Sequence, residues 1–223
     1  MTHLHIPDGV LPLWLWLGGW AFSLLLLWRT GRRPAPQAIA YQGALGGLML
    51  AAMAMPLGPF EYHLSLAGPV GVLLGPAGAF QVAFVVSAIL ALLGHGGITV
   101  IGLNALVMGI ASAGAWLGFR VLGPRLKPSW ALAWSTAFGQ VLAGVAWFAI
   151  VAVASRHAPL ATAGAVGTPP HDGLLLAVAL PLWALGGFVE ALVAWGVGRF
   201  LARVHPALLP VARPGRGAPE VLP

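Results

Sequence analysis

The hydrophobic positions of this chain fall in long uncharged blocks. They run from Val10 to Trp28, Ala38 to Leu57, Gly78 to Leu93, Gly97 to Phe119 and Trp130 to Ser155. A last block, Leu174 to about Trp195, carries Glu190. A bilayer core of ~30 Å needs about 20 helical residues, with a range of ~17–25, so each block predicts a spanning α-helix. The stretch Leu64 to Gly75 is shorter and ends at Gly75-Pro76. It reads either as a separate crossing or as the first half of one long, broken helix.

The charges decide between these. All of the 11 cations except Arg156 cluster in three places: Arg29, Arg32 and Arg33; Arg120, Arg125 and Lys127; Arg199, Arg203, Arg213 and Arg216. Positive residues stay on the cytoplasmic side, so an even number of crossings must separate the first cluster from the second. A single helix over Leu64 to Leu93 leaves an odd number. Two helices restore parity, and the expectation is an all-α bundle of seven transmembrane helices, one of them short, with the N-terminus outside and the C-terminus in the cytoplasm. The short segment then starts nearer Phe60, tilts, or is shielded by its neighbours.

Composition narrows the class further. The chain is 59% hydrophobic and 7% charged, with a mean hydropathy of +0.91, whereas soluble domains carry about 25% charged residues. This reads as an integral membrane protein, and the expected location is a cell inner (plasma) membrane, crossed several times. The net charge of +6 is not a nucleic-acid footprint, because the cations lie beside apolar segments. There are no cysteines, which excludes thiolate metal sites and disulfides. No basic region and small-residue cleavage site precede the first apolar block, so a cleaved signal peptide is not expected. Residues 1–205 read as one membrane-embedded domain opening with a strand over 1–9. Residues 206–223, rich in Pro, Gly and Arg, read as a disordered cytoplasmic tail. Glycine pairs at small-xxx-small spacing, such as Gly43 with Gly47, Gly71 with Gly75 and Gly114 with Gly118, predict close helix packing, mainly inside the chain.

The histidines give the chemistry. On the expected topology His3, His5, His63, His95, His157 and His171 lie outside and only His205 inside. The opening Met1-Thr2-His3-Leu4-His5-Ile6-Pro7-Asp8-Gly9 offers a terminal amine, deprotonable amides and two imidazoles, a donor set that suits nickel or copper in a tetragonal plane. The N-terminal strand, the loop before the short helix and the turn Gly94-His95-Gly96-Gly97 all open outward, and one pocket lined by all three is expected.

His5-Ile6-Pro7-Asp8-Gly9, Tyr62-His63-Leu64, Gly71-Val72-Leu73-Leu74-Gly75-Pro76, Gly94-His95-Gly96-Gly97-Ile98-Thr99 and Gly102-Leu103-Asn104, in that order and spacing, resemble the core of the CbiM/NikM family. That family is the substrate-binding component of cobalt and nickel energy-coupling-factor transporters. The resemblance covers roughly residues 5–120. It implies capture of Ni²⁺ or Co²⁺ as the transported substrate and no organic cofactor. It also implies a transmembrane coupling subunit and two cytoplasmic ATPases as partners, and allows a small auxiliary membrane subunit. The chain itself has no G-x-x-x-x-G-K-[ST] loop and no catalytic residue is expected. In the family four nitrogens hold the ion: the terminal amine, the amide and ring of the histidine at position two, and a histidine after the second helix, which His63 matches.

This sequence departs from that pattern, because Met1-Thr2-His3-Leu4 precedes His5. Three arrangements stand: a self-sufficient Met1-Thr2-His3 chelate; Thr2-His3 with His63 after loss of Met1; or the rings of His3, His5 and His63 together. The second best reproduces the family's chelate rings. The expected ligands are therefore drawn from Thr2, His3, His5 and His63. Asp8, His95, Thr99 and Asn104 would stand behind them to fix their orientation. Asp8 also reads as a cap of the first helix, Thr99 and Asn104 as helix glue, and Glu190 as a cytoplasm-side carboxylate pairing with Arg199 or a partner. Two other classes compete. An intramembrane metalloenzyme would use the same histidines with Glu61 as base, although H-E-x-x-H is absent. A vitamin-binding subunit would need an aromatic-lined pocket instead.

Overall fold

A segment with no water to satisfy its backbone must pair every N–H with a carbonyl of its own, which only a helix does within one apolar stretch. The computed structural model describes residues 6, 8–9, 11–31, 36–56, 62–157 and 172–210. It forms α1 (Leu13–Thr30), α2 (Pro36–Ala54), α3 (Ala67–Leu92), α4 (Ile101–Leu122), α5 (Pro128–His157) and α6 (Asp172–Val204). Among the described residues, four helical spans are long and apolar enough to cross a membrane: Ala67–Leu92, Ile101–Leu122, Pro128–Ser155 and Ala179–Val204.

The seven separate helices expected are therefore six elements among the described residues, and the difference lies in α3. Gly75 stands at φ 72°, ψ 172°, outside helical space, with Pro76 after it. A straight helix of 26 residues would part its ends by about 39 Å. Instead the rings of His63 and His95, just beyond its two ends, have centroids 5.7 Å apart. The element folds back at Gly75 into a short arm, 67–74, and a long arm, 76–92.

Close approaches at small residues give the directions of the neighbours. Gly78 faces Gln42 and Gly46 faces Val82, so α2 and the long arm run parallel. Gly114 meets Gly139 and Gly118 meets Ser135, while Gly144 meets Trp183 and Gly198 meets Ser129. Hence α5 runs antiparallel to both α4 and α6. Gly71 lies on the backbone of Ser112. Of the three small-residue pairs, Gly43 and Gly47 alone meet nothing within 4 Å. The main core joins α2, both arms of α3 and α4 through Met49, Met53, Val70, Ala83, Val86, Leu90 and Met108.

These directions sort the two ends of the bundle. His63, His95 and the start of α4 occupy one end. Arg120, Arg125 and Lys127 occupy the other, beside the last turns of α6 that carry Arg199 and Arg203, where Gly198 packs on Ser129. Residues 206–210, which the sequence assigned to a disordered tail, are ordered against the bundle. Pro206–Leu208 form a 3₁₀ turn, and Leu209, 5% exposed, packs with Val72, Phe119 and Leu201. Apolar burial of Leu209 is what holds that turn to the bundle. The rest of the tail lies outside the described residues.

Candidate metal centre

The last carbonyls of a helix lack intrahelical partners, and α2 hands one of them to the site. His63 Nδ1 donates to the Met53 carbonyl at 2.5 Å. A carbonyl only accepts, so the bond selects the tautomer with the proton on Nδ1, and in the neutral ring that leaves the lone pair on Nε2, the form in which imidazole binds metals. His95 is presented by the turn that ends α3. Gly94 and Gly96 have φ of 82° and 93°, left-handed values that glycine adopts without strain. The His95 amide closes onto the Leu90 carbonyl at 2.8 Å. The two rings meet edge to face in the lining of a cavity of about 70 Å³, which also includes Met53, Tyr62, Gln140 and Glu190.

The start of the chain is laced across the same end. Ile6, 2% exposed, donates its amide to Asn104 Oδ1 at 2.8 Å, and Asn104 Nδ2 returns a bond to the Ile6 carbonyl at 3.3 Å. That carbonyl also accepts from the Gly97 amide at 3.3 Å. Two residues on, Asp8 accepts from the amides of Ile98 and Thr99, both at 2.8 Å, and from the Thr99 hydroxyl at 2.5 Å. Burial works to raise the Asp8 carboxyl, but the Thr99 hydroxyl and the two amides outweigh it and hold it below its ordinary value. A side chain at 97 would overlap Asp8, so glycine is needed for this approach.

Several expected roles change. Asp8 does not cap α1, whose N-cap is Pro12 with no side-chain bond; it ties the N-terminal strand to the segment before α4. The side chains of Thr99 and Asn104 hold that N-terminal segment, while the Thr99 carbonyl, accepting from the Trp20 indole at 2.7 Å, also ties α1 to the approach of α4. Glu190 does not sit toward the cationic end beside Arg199. It is 1% exposed, lines the histidine cavity and accepts from the Ser65 amide. Thr2, His3, His5, Glu61 and His171 lie outside the described residues, as does the side chain of His157. Among the described residues no group of three or more His, Cys, Asp or Glu converges on a metal-sized site; His63 and His95 are brought together as a pair.

Sequence reasoning quoted Tyr62 only as part of a block and gave no role to it, to Ser65 or to Gln140. The Tyr62 hydroxyl donates to the Gly186 carbonyl at 2.9 Å, and Gln140 Nε2 donates to the Ser65 hydroxyl at 3.2 Å. A lone amide in the apolar run of α5 was the available signal, since a buried amide needs partners.

A family model described as "Cobalt uptake substrate-specific transmembrane region" (CbiM) matches residues 5–208. Two solved structures share the fold. A truncated transition metal transporter is 22% identical, with a TM-score of 0.71, covering 89% of this chain and 98% of that one. A transition metal transporter is 24% identical, with a TM-score of 0.70, covering 90% and 93%. No curated protein matches the chain.

Proposed function

Because the chain belongs to the CbiM family, we propose that it captures Ni²⁺ or Co²⁺ at the histidine end of the bundle and passes it to an energy-coupling-factor transporter. The observation that carries this reading is the lacing of Ile6 and Asp8 along residues 97–104. It seats Ile6 beside Gly97, next to the turn whose His95 and Gly96 line the cavity with His63. In this reading the ion takes His63 Nε2 and nitrogens of the Thr2-His3 pair, with His5 as the competing donor. His95 beside His63 supports the ring rather than completing the set.

The topology proposed is seven membrane segments, counting the two arms of α3 separately, with the histidine end outside and the cationic end in the cytoplasm. The membrane is the inner (plasma) membrane. Transport then requires a coupling subunit and two ATPases, because capture alone supplies no work.

Calorimetric titration of the purified chain tests the proposal. His3→Ala and His63→Ala should each abolish high-affinity Ni²⁺ or Co²⁺ binding, and His205→Ala should leave it intact. Retained binding in His63→Ala would remove the cavity from the site and leave only the N-terminal chelate. Loss in His5→Ala but not His3→Ala would reassign the N-terminal ligand. Affinity should also fall with pH through the imidazole range, because the ligands must be deprotonated.

A further inference from the structure

We infer that α6 clamps the loop bearing His63, with Tyr62 and Glu190 as positioning residues; the inference rests on the proposed metal capture and names what sets one ligand in place. Two bonds from α6 straddle His63. The Tyr62 hydroxyl donates to the Gly186 carbonyl at 2.9 Å. On the other side, the Ser65 amide donates to Glu190 Oε1. Gln140 from α5 steadies the same spot through the Ser65 hydroxyl at 3.2 Å. The histidine ring is then fixed from the opposite direction by the Met53 carbonyl of α2.

The clamp explains three features that nothing else in the bundle requires. An intramembrane carboxylate is costly and marks function, yet Glu190 is 1% exposed, and among the described residues its Oε2 has no hydrogen-bond partner by strict geometry. Its Oε1 accepts from the backbone beside His63. Gly186 is needed because a Cβ there would stand 2.6 Å from the Tyr62 ring, and any larger residue would push the tyrosine off the helix. Leu66 holds φ 53°, ψ 15°, a left-handed conformation that persists in a non-glycine residue only where its surroundings over-determine it. The loop is thus forced into one shape, and the shape is set by α6. Neither Tyr62 nor Glu190 need touch the ion; they act through His63.

The test uses the full chain with ¹⁵N-labelled histidine, first metal-free and then titrated with Ni²⁺. In the metal-free protein, Glu190→Ala should shift or broaden the His63 ring N–H resonance. With Ni²⁺, it should lower affinity about 10–100-fold, as expected when a ligand loses its orienting partner. Glu190→Gln keeps an acceptor for the Ser65 amide and should restore both signals. Tyr62→Phe removes only the hydroxyl and should move the His63 resonance in the same sense. An unchanged His63 resonance in both Glu190→Ala and Tyr62→Phe overturns the clamp, as does a Glu190→Gln variant as impaired as Glu190→Ala. If Glu190→Ala does not fold, Glu190→Gln and Tyr62→Phe still decide it. Absence of metal binding by the unsubstituted protein would overturn the capture reading instead, and the metal-free resonances keep the two failures apart.

Discussion

Asp8 shows how one side chain can fix an irregular segment to a distant stretch of the chain. Its three acceptor bonds go to Ile98 and Thr99, and the Gly97 hydrogen remains the only substituent that fits beside it. Asp8→Ala or Gly97→Ala should therefore weaken Ni²⁺ binding about tenfold, the lower end of what loss of an orienting partner costs, while leaving helix content by circular dichroism unchanged. The pH dependence has a definite sign. The folded Asp8 carboxyl lies below its ordinary 3.8, so the tether is at full strength above that value and is lost as pH falls through the folded value below it. Protection of the Ile98 and Thr99 amides in hydrogen exchange should thus survive at about pH 5, where unperturbed imidazoles are already charged and metal is released. Among the site residues, His63 and His95 were legible from their own neighbours, the glycine-rich turn above all. The partners of Asp8 and Asn104 were not, because those bonds join residues about ninety positions apart and leave no local signature. Glu190 was legible as an oddity but not in its depth, which depends on how α6 slides against Ser65.

At the level of elements, the break in α3 carries the largest consequence. Gly75 occupies a region of backbone space that is essentially reserved for glycine, and the nearest foreign atom to a Cβ there is Trp116 Nε1 at 3.9 Å. Space is available, so a substitution meets a conformational cost rather than a clash. Gly75→Ala should destabilise the protein by about 1–3 kcal/mol, read as a lower Tm in detergent. Because the bend returns His95 to His63, it should also weaken metal binding, whereas Gly43→Ala, with nothing within 4 Å, should do neither. The sequence announced a break through Gly75-Pro76. Hydropathy reports that a segment is apolar and how long it is, but an apolar run looks the same whether it goes straight on or turns back, so the fold-back had to come from the geometry.

Across the whole molecule, the face turned to lipid is apolar: Trp14, Phe22, Trp28, Leu92 and Phe188 are all exposed. The absence of cysteine permits a direct check of sidedness. A single cysteine at position 98 should react with an impermeant thiol reagent added to intact cells, and one at position 124 should not; labelling at 124 would reverse the proposed orientation. Membrane class and helix locations were readable because lipid imposes them residue by residue, and charge parity put three distant segments at one end; the bonds that bring Ile6 and Asp8 onto residues 97–104 were not readable. That meeting has a kinetic meaning. With Ile6 pinned, three residues at up to ~3.6 Å each keep His3 within about 11 Å of it. A donor on so short a leash meets His63 at an effective concentration of millimolar order, with no diffusional search. A detached peptide of the first nine residues, supplied at micromolar levels to protein lacking them, should therefore fail to restore capture, and glycines inserted between His5 and Ile6 should dilute the donor a step at a time.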